Sequence, residues 1–237
     1  DYSERGITRL DGFACELVAE DASRLVRVPR ALDRLGVLAE PTSICTRALR
    51  HARAVGGRQP WKLERALVLG AGAVGMLTTL LLRLDGVDVT VASLEDEAPL
   101  VEALGARYLA SAAGALSDLG RFDLVVEGAG NAQLAADALG LLDRNGVACL
   151  IGIDGREQAV ELDGRVLSLD FVLGNRAVFG SVNAHREDWT AAVAALDRAR
   201  GRLQDVLESF VSLRVPLDGF DDAFEHRGGK ATLVLDA

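Results

Sequence analysis

The feature that most narrows what this chain can fold into is Gly70-Ala71-Gly72-Ala73-Val74-Gly75. Just before it stands a short apolar run, Ala66-Leu67-Val68-Leu69, and from Val74 to Leu84 the chain is apolar on most sides. The first reads as a buried strand and the second as a buried helix. A further apolar strand, residues 87–92, ends about 20 residues beyond the first glycine. Strand, glycine turn, helix, strand is the context in which this spacing holds a dinucleotide. Gly70 permits the tight turn, Gly72 lets the backbone approach a pyrophosphate, and Gly75 lets helix and strand pack closely. The helix start then presents N–H groups and a partial positive charge to the phosphates. Gly70, Ala71, Gly72, Ala73, Val74 and Gly75 are therefore all candidate cofactor contacts.

The alternation continues beyond the motif. Helices are expected at 98–104, 132–142 and from 186 to about 199, and strands at 123–126, 147–151 and 177–179. Short apolar strands alternating with helices predict an α/β fold, a doubly wound parallel sheet of the Rossmann type. The ends of the chain read differently. Residues 13–19 and 25–29 look like strands separated by Glu20-Asp21-Ala22-Ser23. Pro41 opens a helix carrying Ile44, Ala48, Leu49, Ala52 and Val55, which Gly56-Gly57 ends. Residues 210–237 read as strand, short helix, strand. The expected division is a dinucleotide-binding domain at 41–189 and a second, β-rich part made of 1–40 and 190–237.

Two more strand ends point at the same ligand, because ligands of doubly wound sheets lie over the carboxyl ends of the strands. Glu127-Gly128-Ala129-Gly130 follows one strand and Gly152 another, which makes Glu127, Gly128 and Gly152 candidates. The strand at 87–92 runs into Ser93-Leu94-Glu95-Asp96-Glu97. A 2′-phosphate wants Arg or Lys there, whereas a free ribose wants an acceptor. With Ser93 and three acids and no basic residue, NAD is favoured over NADP. The net charge of −9 argues against a nucleic-acid partner. No apolar run reaches the ~18 residues that suggest a membrane span. Cys15, Cys45 and Cys149 are far apart and form no paired motif, which fits reduced thiols in a cytoplasmic protein.

Several short stretches carry a family resemblance. Tyr2-Ser3-Glu4-Arg5-Gly6-Ile7, Asp11-Gly12-Phe13, Leu25-Val26-Arg27-Val28-Pro29 and Gly36-Val37-Leu38-Ala39-Glu40-Pro41 occur in that order. The glycine motif, Gly180-Ser181-Val182-Asn183 and Gly219-Phe220-Asp221-Asp222-Ala223-Phe224 follow. Together they resemble the zinc-dependent medium-chain dehydrogenase/reductase superfamily, and are most similar to its archaeal-type glucose dehydrogenases. The resemblance implies that the β-rich part belongs to a GroES-like catalytic domain. It implies a hydride transfer from a sugar or polyol hydroxyl to NAD(P), and a homodimer or tetramer. It also implies roles for single residues. Glu40 matches a carboxylate supplied to a catalytic zinc, Glu4 a carboxylate that bonds sugar hydroxyls, and Asn183 an amide facing substrate and nicotinamide. The family's zinc-binding Cys and His lie upstream of the stretch that begins here, so the other zinc ligands are expected outside this chain. The alternative is a dinucleotide-binding module without catalysis.

Overall fold

The structure, a computed structural model, describes residues 3–110, 116–153, 155, 156 and 159–235. Tyr2, the first residue of the Glu4-containing motif, lies outside the described residues. The chain opens with two-residue strands β1 (Glu4–Arg5) and β2 (Arg9–Leu10), and a 3₁₀ segment, Arg30–Leu38, leads into α1 (Ala39–Gly56). There follow β3 (Arg65–Leu69), α2 (Ala73–Leu84), β4 (Asp88–Ser93), α3 (Pro99–Ala103), β5 (Arg107–Ala110), β6 (Phe122–Glu127), α4 (Ala132–Leu139) and β7 (Leu142–Leu150). A π-helical stretch, Val166–Phe171, runs into α5 (Val172–Gly174). The chain ends with β8 (Ala177–Gly180), α6 (Arg186–Ser209), β9 (Val211–Pro216), α7 (Phe220–Glu225) and β10 (Lys230–Val234).

β3 to β8 form one six-stranded sheet in the order β5-β4-β3-β6-β7-β8, with every pair parallel. The expected doubly wound parallel sheet is the fold observed. Its strands read as continuous apolar runs because both faces are covered. Ala66 and Val68 of β3 join a cluster with Leu38, Leu49, Leu77, Leu80 and Leu196, on the side of α1, α2 and α6. Leu67 and Leu69, the intervening residues, join Val125, Ala148 and Ala138 on the side of α4. The period-2 alternation of side chains along a strand thus feeds two separate cores. The chain leaves β3 for β4 on one side and later returns to β6 on the other. The strand order reverses there, and in such sheets a crevice opens over the strands' carboxyl ends at that reversal.

Several expectations are corrected. Residues 13–19 and 25–29 form no strands; Leu17 is 91% exposed. A strand needs a neighbour to take its ladder hydrogen bonds, and among the described residues none lies alongside. β5 was not expected, because Arg107-Tyr108-Leu109-Ala110 is a four-residue edge strand with no apolar run. α4 stops at Leu139 rather than 142, since Leu142 pairs with Phe122 at the start of β7. α6 continues past 199 to Ser209, through a kink at Leu203. The expected boundaries at 40/41 and 189/190 fall inside α1 and α6. Leu196, Ala199 and Leu207, placed by the sequence in the β-rich part, lie in the same cluster as Leu77 and Val68. The β9–α7–β10 reading of the last segment holds.

Candidate cofactor-binding site

The turn between β3 and α2 is built by two of its glycines for different reasons. Gly70 has φ +99°, where a side chain is strained, and a Cβ there would come within 3.0 Å of the Ala129 backbone. Gly75 sits in the first turn of α2 so close beneath the turn that a Cβ would overlap the Gly70 carbonyl oxygen. Gly72 is different. Its φ is −71°, and a Cβ would meet no atom within 4 Å. The fold does not need that glycine; the open space above it does. Gly72 is also the N-cap of α2, with no side-chain cap. The first-turn N–H groups therefore lack a side-chain acceptor and face the place where an anion would lie.

A cleft of about 620 Å³ opens beside this turn, between the loops that follow β3, β4 and β6. Gly70, Ala71, Gly72, Ser93 and Gly128 line it, which brings together five of the residues singled out from sequence. Ala73 lines a smaller adjoining cleft of about 380 Å³ on the other side of the turn, with Ala71, Gly72 and Glu95 shared between the two. Val74 packs against the core of α1 and α2, and its carbonyl accepts from Cys45 Sγ at 3.3 Å. The sequence did not single out Asn131, Gln133, Leu134, Asp137 and Arg156, which also line the larger cleft. Asn131 carried a readable signal, since it caps α4 by accepting the Leu134 N–H at 3.0 Å.

Glu127 and Gly152 do not line the cleft itself; Glu127 is buried behind it and Gly152 is partly exposed. Glu127 is 2% exposed, and its carboxylate accepts the N–H groups of Ala129 at 2.8 Å and Asn131 at 3.3 Å. Its carbonyl accepts from Ile151 and Gly152, each at 2.9 Å. A Cβ at Gly152 would overlap the Gly130 nitrogen. These residues lock the loops after β6 and β7 against each other and so hold one wall of the cleft.

On the opposite wall, the Ala71 N–H donates to Ser93 Oγ at 3.3 Å, and that hydroxyl donates to the Glu95 carboxylate. The Ser93 hydrogen bond, then Glu95's own backbone N–H, hold the Glu95 carboxyl below its ordinary value against the opposing pull of burial. It is a ready acceptor at neutral pH.

The three residues expected at the chemistry do not line this cleft. Glu4 is half-buried in β1, and Asn183 is exposed after β8 with φ +60°. Glu40 lies in the first turn of α1, largely exposed, with its carboxylate 3.8 Å from Lys230 Nζ. Among the described residues no group of three or more His, Cys, Asp or Glu could hold a metal. Glu40 alone is one carboxylate, so the residues present do not make a zinc site, which needs about three protein ligands. Of the histidines, His226 bonds Ser212 Oγ at 2.7 Å, His185 caps α6, and His51 packs near Phe179. No helix among the described residues is long and apolar enough to cross a membrane.

The parallel strand order and the glycine turn at its reversal define a doubly wound α/β protein of the Rossmann class. More narrowly, the chain belongs to the glucose dehydrogenase C-terminus family, whose model matches residues 33–236. It is 38% identical over 240 residues to glucose 1-dehydrogenase 1 of Caldivirga maquilingensis, covering 99% of this chain and 68% of that protein. It is 31% identical to glucose 1-dehydrogenase of Methanocella arvoryzae, covering 95% of this chain and 65% of the relative. The glucose dehydrogenase of Haloferax mediterranei, solved in complex with NADP, Zn and gluconolactone, superposes with a TM-score of 0.89 at 30% identity. That match covers 99% of this chain and 68% of the solved one. The chain thus spans about two-thirds of the length of these relatives.

Proposed function

We propose that this chain binds NAD(H) in the cleft beside Gly72 and forms the cofactor-binding part of a zinc-dependent, NAD(P)-linked sugar dehydrogenase. The observation that carries the reading is the uncapped start of α2 beneath open space at Gly72. When bound, the nicotinamide supplies the acceptor for a hydride from the sugar's carbinol carbon, and the hydroxyl proton leaves to solvent. The chain's own residues bind and orient. The α2 N–H groups take the pyrophosphate, and Glu95 and Ser93 take the ribose hydroxyls. Gly128, on the wall braced by Glu127 and Gly152, lets the cofactor lie close over the strand ends. The family relation supports an aldose as substrate, with Glu4 and Asn183 facing it and Glu40 giving one carboxylate to zinc. Further zinc ligands would lie outside the described residues, and no chemical step is assigned to the metal.

NAD is the preferred cofactor in this reading, although the Haloferax relative was solved with NADP. The acidic Ser93–Glu97 loop supports it, because Glu95 is an acceptor where a 2′-phosphate needs a cation. Free thiols at all three cysteines fit a cytoplasmic setting. A homodimer or tetramer would form through β8, an edge strand whose Val178 is 42% exposed. Titration of the purified chain with NADH and NADPH, followed by nicotinamide fluorescence, tests the binding reading. Saturable binding that favours NADH is expected; no binding of either overturns it. A second reading, a binding module without catalysis, is favoured by the lack of a metal-holding group among the described residues. Assay with NAD, zinc and aldoses of a chain extended to the full length of the relatives separates the two: turnover removes the second, and NADH binding without turnover removes the first.

A further inference from the structure

Strand β5 places beside Glu95, a residue of the cleft wall, a partner that the glycine motif does not announce. Tyr108 Oη donates to the Glu95 carbonyl oxygen at 2.5 Å. Burial, with the charges of Glu95 and Asp96, holds its phenol above the ordinary range, so it stays a donor at neutral pH. Glu95 is then held twice. Tyr108 fixes its backbone, and Ser93, itself bonded by the Ala71 N–H, fixes its carboxylate. Leu94 beside it is 83% exposed, so packing contributes little to the shape of this loop. Its shape rests on those hydrogen bonds. An acidic side chain on an unrestrained surface loop loses affinity to the cost of ordering it.

We propose that Tyr108 is a positioning residue for cofactor selection. Acting through the Glu95 carbonyl, it keeps the Glu95 carboxylate where it accepts from the hydroxyls of a free ribose and repels a 2′-phosphate. The gain is in charge-assisted hydrogen bonds that need no reorganisation on binding. The inference rests on the reading of Ser93 and Glu95 as the ribose side of the cleft.

The experiment is a set of fluorescence titrations with NADH and NADPH on wild type, Tyr108→Phe, Glu95→Gln and the double variant. Tyr108→Phe keeps the half-buried ring and removes only the hydroxyl, and circular dichroism checks that each variant is folded. Tyr108→Phe should weaken NADH roughly three- to tenfold, the worth of one hydrogen bond, and leave NADPH unchanged or tighter. In the Glu95→Gln background the same change should no longer move the NADH/NADPH ratio. Equal weakening of both cofactors by Tyr108→Phe, or an unchanged ratio, overturns the role of Tyr108. If Glu95→Gln alone collapses the ratio in that case, the ribose reading stands without Tyr108. A wild-type preference for NADPH, or an unchanged ratio in Glu95→Gln, overturns both. If Tyr108→Phe does not fold, Tyr108→Met carries the test, since it keeps apolar bulk and also removes the hydroxyl: it should lower the preference for NADH, and an unchanged preference overturns the role of Tyr108.

Discussion

The α-carbon of Gly75 lies against the carbonyl oxygen of Gly70, so closely that a methyl group at residue 75 would overlap it. Gly72, three residues earlier, faces open space. Gly75→Ala should therefore destabilise the chain by about 2 kcal/mol or more, by forcing α2 away from the turn. Gly72→Val should leave the thermal midpoint nearly unchanged and weaken NADH binding by at least tenfold, because only the ligand needs that space. Thermal melts and cofactor titrations on both variants check the pair. A Gly72 variant that melts early and binds normally would contradict the assignment.

Cofactor choice should be transferable at the Ser93–Glu95 loop. Replacing Leu94 and Glu95 with Arg removes the acceptor and supplies forked N–H donors that match a phosphate. NADPH affinity should rise and NADH affinity fall, shifting their ratio by roughly a hundredfold, about one bidentate charged contact plus one lost carboxylate. The ratio of dissociation constants before and after is the measurement.

Acid stability should depend on Asp188. It is 2% exposed and accepts Arg50 Nε at 2.7 Å, Arg50 Nη2 at 3.0 Å and the His185 N–H at 2.9 Å. Burial pushes its carboxyl up, but those hydrogen bonds and the charges of Arg50 and Arg47 outweigh burial, and its pKa lies below the ordinary 3.8. A carboxyl with a lowered folded-state pKa contributes stability that is fully present above its unfolded value. That contribution is lost as pH falls through the lowered folded value. Asp188→Asn should cost about 2 kcal/mol at pH 7, less than for a fully buried pair because Arg50 remains 41% exposed. It should also flatten the loss of stability below about pH 4, where the group titrates. Denaturant midpoints from pH 3 to 7 in both proteins would show it.

Thiol chemistry should separate the cysteines. Burial pushes the thiols of Cys45 and Cys149 up to about 12, so almost no thiolate exists at pH 8. Cys15 is only half-buried. A disulfide reagent at pH 8 should label one thiol quickly in the folded chain and three in denaturant, and Cys15→Ser should remove the fast phase. Rapid labelling of two or three thiols without denaturant would contradict the packing of α1 against β7.

Much of this was readable from residues alone. The strand, turn and helix around Gly70-Ala71-Gly72 could be placed because their signals are local: apolar runs, a glycine spacing and helix-ending glycines. Charge in Ser93–Glu97 could be read the same way. What the residues did not reveal were contacts between segments far apart in sequence. Tyr108 lies on an edge strand without an apolar run, and its partner Glu95 is known only once β5 is paired with β4. Glu127 read as a cofactor contact because it follows a strand end; its burial and its hydrogen bonds to the N–H groups of Ala129 and Asn131 were not readable from the residues.

The sequence by itself determined the parallel α/β fold, the place of the glycine turn between β3 and α2 and the acidic character of the Ser93–Glu97 loop. Each depends on periodicity or composition within a few residues. Tertiary structure alone decided that residues 13–19 and 25–29 are not strands, because a strand exists only with a neighbour to share its backbone hydrogen bonds. It alone decided that α6 packs with α1 and α2, because burial depends on which apolar faces meet rather than on where a segment stands in the chain. And it alone separated Gly72 from Gly75, since only assembled coordinates show which glycine the chain crowds and which it leaves open.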